Sequence, residues 1–103
     1  MSVIIDLLDN KDINELKELS DNIKSQYDNY FQILISAKNN NPYILVSISD
    51  KAVNMGYSAN DIIKKIAPII GGNGGGREKF AQAGGKNITE INKAFEEAKK
   101  ILK

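Results

Sequence analysis

The 103-residue chain has no cysteine, no histidine and no tryptophan, only two prolines and one arginine, Arg77. Each absence removes a class of chemistry. Without cysteine there is no disulfide, no thiolate nucleophile and no sulfur-ligated metal, a pattern compatible with the reducing cytoplasm, where we expect the chain to reside. Without histidine the commonest general base and the commonest metal ligand are gone, so proton transfer would fall to carboxylates, lysines and tyrosines. This argues against a self-sufficient enzyme, and no cofactor is expected. Long apolar runs are missing too. No stretch approaches the roughly 20 residues needed to cross a bilayer, and the N-terminus lacks a basic region followed by a hydrophobic one, so no membrane partner is expected.

What is present points to one domain with a single core. The formal net charge of +1 hides an uneven distribution. Residues 1 to 30 carry seven acids against three lysines, whereas residues 64 to 86 carry Lys64, Lys65, Arg77, Lys79 and Lys86 against Glu78 alone. Positive charge therefore collects where a polyanion could bind despite the near-neutral total. Asp6, Asp9 and Asp12 lie close together in sequence, but their position before a helix suits capping and solvation better than a metal site.

Hydrophobic patterning gives the coarse order of elements. "SVIIDLL" is a short β-branched run bounded by "DNKD" and reads as a strand. Asp12 and Glu15 have capping-box spacing, and Ile13, Leu16, Leu19, Ile23 and Tyr27 share one side of a helix. Tyr30 to Ala37 and Tyr43 to Ser49 read as a hairpin around "KNNNP". Ser58 and Asp61 suggest another capping box before an isoleucine-faced helix that Pro68 kinks or ends. "FAQA" reads as a short strand. Asn87 with Glu90, or Thr89 itself, then precedes a helix with Ile91, Ala94, Phe95, Ala98, Ile101 and Leu102 in one stripe. The expected fold is α/β: a mixed sheet of about four strands, helices packed against it, and a glycine-rich loop after the second main helix.

That loop, "GGNGGGREKFAQAGGK" at residues 71 to 86, holds seven of the eight glycines together with Arg77. Glycine lets backbone N–H groups converge and a ligand approach without Cβ obstruction. Arg77 offers a planar fork for phosphate or a base, and Gln82 a donor beside an acceptor. Such groups recognise rather than catalyse. Gly75 is expected either to take a positive φ or to lie where RNA approaches closely. A Walker loop would need Lys and then Ser or Thr after its last glycine, where Arg77 and Glu78 stand. A dinucleotide fingerprint would follow a strand and open a helix, and this segment does neither. Tyr27, Tyr30, Phe31 and Tyr43 could stack on bases, but their positions favour core packing.

Gly74, Gly75, Gly76 and Arg77, followed by Ala81, Gln82, Ala83, Gly84 and Gly85, resemble the signature of the DHH-associated domain in the form found at the C-terminus of alanyl-tRNA synthetases. The motif is complete, and the flanking order of elements is similar over nearly the whole chain. The resemblance implies a tRNA-binding accessory module within a longer synthetase whose aminoacylation and editing domains lie upstream. It implies contacts to the outer corner of tRNA, with the alanine tRNA as the expected partner, and a contribution to homodimer formation. The implied binding residues are Gly74, Gly75, Gly76, Arg77, Gln82, Gly84 and Gly85, with Lys64, Lys65, Lys79 and Lys86 as weaker electrostatic contributors. The alternative is the nucleotide-holding subdomain of a DHH-type phosphoesterase, whose related glycine run is typically followed by His rather than Arg. A free-standing editing factor carrying the same module, and a purely structural α/β domain, remain as further readings.

Overall fold

The computed structural model describes residues 1–102. Its first strand, β1 (Ser2–Leu7), is followed by helix α1 (Ile13–Lys24), which begins with a reciprocal capping box. The Asp12 carboxylate accepts from the Glu15 backbone N–H at 2.9 Å, and the Glu15 carboxylate accepts from the Asp12 N–H at 3.2 Å. Two donors left unpaired at the helix start are thereby satisfied. The helix closes at Ser25, so Tyr27 falls beyond it and is 42% exposed instead of completing the apolar stripe.

Strands β2 (Tyr30–Lys38) and β3 (Asn41–Ile48) form the expected hairpin. Asn39 and Asn40 join them with φ of 53° and 66°, the left-handed pair required by a tight hairpin turn whose twist matches its strands. Two short helices follow: α2 (Asp50–Asn54), capped by Ser49, and α3 (Ala59–Ile66), capped by Ser58. At α3, Ser58 Oγ accepts from the Asp61 N–H at 3.4 Å, which realises the forward half of the expected box. Pro68 converts the next turn, Ala67–Ile70, to a 3-10 helix that Gly71 ends at φ 68°. Glycine takes that left-handed cap with no Cβ to strain it.

The glycine segment differs from the loop expected. Asn73–Gly76 is a strand, β4, paired antiparallel with β5 (Phe80–Gly84), so the mixed sheet has five strands in the order β1-β2-β3-β5-β4. Glycine has low strand propensity and no side chain to reveal a period of two, which is why this edge strand is silent in sequence. The last helix, α4 (Ile91–Lys99), is entered through a 3-10 turn, Ile88–Glu90, with no side-chain cap from Asn87 or Glu90.

Alternation divides the strand residues between two unequal layers. Phe31, Ile33, Ile35, Ile44, Val46, Ile48, Ala81 and Ala83 face α2, α3 and α4 in the main core. Phe31 is fully buried and meets Tyr57 edge-on at 5.2 Å between ring centroids. Leu34 and Leu45 face the other way, onto Leu16 of α1. Because α1 packs on β2 and β3, it flanks β5 and β4 without roofing them. One half of one sheet face is thus left partly open.

Candidate nucleic-acid interface

The open half-face is built by β5. Ala81 and Ala83 enter the main core, so Phe80, Gln82 and Gly84 stand on the α1 side, opposite Ser47, Leu45 and Tyr43 of β3. Two clefts lie along this strand, one at each end of α1. The first, about 440 Å³, is lined by Lys24, Tyr30, Ile48, Arg77, Glu78, Lys79 and Phe80. The second, about 230 Å³, is lined by Ile13, Tyr43, Asn73, Gln82 and Gly84. Each cleft has one end of α1 on one side and the β4–β5 hairpin on the other, and the α1 side of β5 with these two clefts is called the trough below.

The glycines have different duties along this wall. A Cβ at Gly72, Gly74, Gly76 or Gly85 would overlap backbone of Gly84, Gln82, Phe80 or Ile70 respectively, so these four let chain segments pack too closely for any side chain. At Gly71 a Cβ would also meet Asn87 Nδ2 at 2.7 Å. Gly75 and Gly84 are unlike them. A Cβ at Gly75 would have only Asn60 Oδ1 nearby, at 3.6 Å, and one at Gly84 would make ordinary contact with the Tyr43 ring at 3.6 Å. Of the two alternatives expected for Gly75, a positive φ is not found, the positive-φ glycines among the described residues being Gly56 and Gly71. Extended pairing with Gln82 is sufficient to place Gly75.

The cations are less concentrated than their sequence positions suggest. Arg77 is exposed at the β4–β5 connection, where its backbone N–H donates to Phe80 O at 2.7 Å. Among the described residues no carboxylate pairs with its guanidinium. Lys79 Nζ instead donates to the Asp50 carboxylate at 3.0 Å, and that bond raises the lysine pKa above its ordinary value. Lys64 sits one helical turn after Asn60, whose side chain accepts from the Gly76 N–H at 3.2 Å, so it flanks β4. Lys86 is exposed beyond the far end of β5, roughly 15 Å of strand from the Arg77 end. Lys65 belongs elsewhere: it lines a cleft between α3 and α4 with Lys93 and Lys100.

The structure also brings forward residues that their sequence positions had assigned to the core. Tyr30 and Tyr43 are half-buried and line the two clefts, while Phe31 is core as expected. Lys24 arrives from the end of α1, about fifty residues before Arg77. Phe80 was legible in principle, since "FAQAG" alternates large and small residues and the small ones must face the crowded helix layer. Cations beside exposed ring faces can hold phosphates while bases stack. Among the described residues no three His, Cys, Asp or Glu side chains gather as a metal site would require, and no helix is long and apolar enough to cross a membrane.

Comparison with known proteins matches residues 1–103 to the DHHA1 domain family. The chain is 44% identical over 95 residues to the alanine–tRNA ligase of Lactobacillus johnsonii, covering 92% of this chain and 11% of that protein. It is also 44% identical over 88 residues to that of Sulfurovum sp., covering 85% and 10%. The chain thus spans about a tenth of the length of these curated relatives. In fold it is similar to the C-Ala domain of Aquifex aeolicus alanyl-tRNA synthetase, with a TM-score of 0.81 and 23% identity over 97% of this chain and 89% of that one. A DHH-domain protein described as a member of a family of ribosomal proteins is more distant, with a TM-score of 0.53 and 26% identity over 81% of this chain and 19% of the other.

Proposed function

The chain belongs to the DHHA1 domain family, and from that premise we propose that it is a tRNA-binding accessory domain of an alanine–tRNA ligase. In this reading it holds the alanine tRNA for aminoacylation and editing domains elsewhere in the ligase, in the cytoplasm, and carries no catalysis of its own. The observation that carries the proposal is the trough beside Arg77. Lys24 and Arg77 stand there with Tyr30 and Phe80, beside Glu78 and a Lys79 paired with Asp50, a net cationic arrangement suited to a nucleic-acid backbone with exposed bases. The ligase context is supported by the named relatives over most of this chain. The phosphoesterase alternative has the weaker fold likeness and lacks the histidine expected after its glycine run.

Fluorescence anisotropy with a labelled alanine tRNA transcript tests the proposal. Binding should weaken with salt: three phosphate contacts, from Lys24, Arg77 and Lys86, predict a slope of log K against log salt of about −2. Arg77→Ala should lower affinity by about 2 kcal/mol, the scale of a lost charge-assisted hydrogen bond. Absence of binding at low salt, or affinity unchanged in Arg77→Ala, would overturn the reading. Light scattering of the free protein tests the homodimer implied by the family resemblance.

A further inference from the structure

We infer that Asn60 is a positioning residue for Arg77, fixing the backbone from which the guanidinium reaches RNA, an inference that rests on the tRNA-binding reading and adds what makes Arg77 effective there. The need for such a device follows from the sequence. Arg77 is preceded by Gly74, Gly75 and Gly76, residues with the greatest backbone freedom and no side chains to pack against neighbours. They lie on β4, the edge strand, so only one side of their backbone is paired, with β5. An arginine carried on such a segment would lose much of its binding free energy to the ordering of its own support.

The fold holds that segment at Gly76, Arg77 and Glu78 in turn. The Arg77 N–H points into the hairpin and donates to Phe80 O at 2.7 Å. Backbone directions alternate along a strand, so the Gly76 N–H points out of the sheet edge, away from any ladder partner. Asn60 meets it there, its side-chain oxygen accepting at 3.2 Å. On the other side of Arg77, the Glu78 carbonyl accepts from the Ala59 N–H at 2.8 Å. Ala59 is the first residue of α3, so that donor is one of those a helix start leaves unpaired. Two consecutive residues of one helix thus grip the residues on either side of Arg77. The helix is a firm anchor, because Ala59, Ile62, Ile63 and Ile66 are buried in the main core. Of the two grips, only that of Asn60 depends on a side chain. Helix formation does not account for it: Ser58 already caps α3, and asparagine is a poorer helix former than alanine.

The test is a double-mutant cycle on the whole 103-residue chain, comparing the parent, Asn60→Ala, Arg77→Ala and the double variant by anisotropy with a labelled alanine tRNA transcript. Asn60→Ala should keep the fold by circular dichroism and speed amide hydrogen exchange at Gly76. It should weaken tRNA binding about fivefold, the scale of ordering one long side chain on binding. In the Arg77→Ala background the same substitution should change affinity by less than about twofold, because the residue it positions is gone. A merely structural contact would lower affinity alike in both backgrounds. Equal loss in the two backgrounds, parental affinity in Asn60→Ala, or Gly76 exchange unmoved by the substitution overturns the inference, and with tRNA still bound by the parent it leaves the tRNA reading standing alone. Failure of the parent chain to bind tRNA removes the tRNA reading and the inference with it.

Discussion

Gly72 and Gly84 belong to one sequence motif and touch the same stretch of backbone, yet a methyl group would meet opposite fates at the two positions. At Gly72 it would overlap the Gly84 carbonyl, whereas at Gly84 it would rest in contact with the Tyr43 ring. Gly74, Gly76 and Gly85 share the first condition and Gly75 the second. A glycine-rich motif in a binding protein invites the view that every glycine serves the ligand. Here most of them serve the fold, by letting β4 close against β5 and the segment after β5 close against Ile70. Gly75 and Gly84 are left with space around them. Gly84 opens into the trough, and Gly75 has only Asn60 beside it.

The comparison can be broken most strongly by substituting within the crowded set. Gly72→Ala should destabilise the domain by about 3 kcal/mol, the upper range for overpacking against backbone that cannot yield. Urea unfolding would read this directly. A loss below about 1 kcal/mol, the lower end of that range, would show that the segments separate easily and that the crowding is not needed. Arg77→Lys is expected to have the next largest effect, because it keeps the charge but loses the planar fork. Affinity for tRNA should fall by about 1 to 2 kcal/mol with little change in salt slope. If Lys binds as well as Arg, the site uses charge alone. In the roomy set, Gly75→Ala should leave stability unchanged or improve it by about 0.5 kcal/mol, since a methyl there meets little and restricts the unfolded chain. Any fall in its tRNA affinity would then report RNA approach at β4 and not damage to the fold.

The smallest effect concerns the wall opposite the glycines. Lys38 Nζ donates to the Glu15 carboxylate at 2.7 Å, tying α1 to the β2–β3 hairpin. That hydrogen bond, helped by the one from the Asp12 N–H, holds the Glu15 pKa below the ordinary glutamate value. A carboxylate whose folded pKa is depressed adds stability above its unfolded pKa and loses it as pH falls through the folded one. The melting temperature should therefore decline as the solution is acidified below about pH 5, and Glu15→Gln should make that decline shallower. An identical pH profile in the variant would mean that the pair does not steady the α1 wall.

Much of this architecture was legible because side chains announce it. The capping box at Asp12, the turn asparagines of the hairpin, the break at Pro68 and the stripe of α4 from Ile91 to Ala98 follow from local chemistry, whereas Ile101 and Leu102, expected in that stripe, lie beyond the helix end at Lys99; the motif around Arg77 indicated the family. Two elements were silent for definable reasons. Helix α2 has five residues, too few to establish a period, and β4 has three glycines in four residues, so no alternation exists to be read. For the candidate site, the sequence offers Arg77, Gln82 and the glycines but not the walls around them. Lys24, Tyr30 and Tyr43 join it through strand register and the placement of α1. Lys65 leaves it because the next position along α3 turns about 100° around the helix axis, from the side of β4 toward α4.

Amide shift mapping of the isotopically labelled protein titrated with tRNA distinguishes the two cationic surfaces, because the trough and the lysine-rimmed cleft between α3 and α4 lie on different sides of the sheet. Perturbations are expected to group at Lys24, Tyr30, Tyr43 and residues 75 to 84, with Lys93 and Lys100 unmoved. Shifts grouped at Lys65, Lys93 and Lys100, with Phe80, Gln82 and Gly84 unmoved, would contradict that expectation.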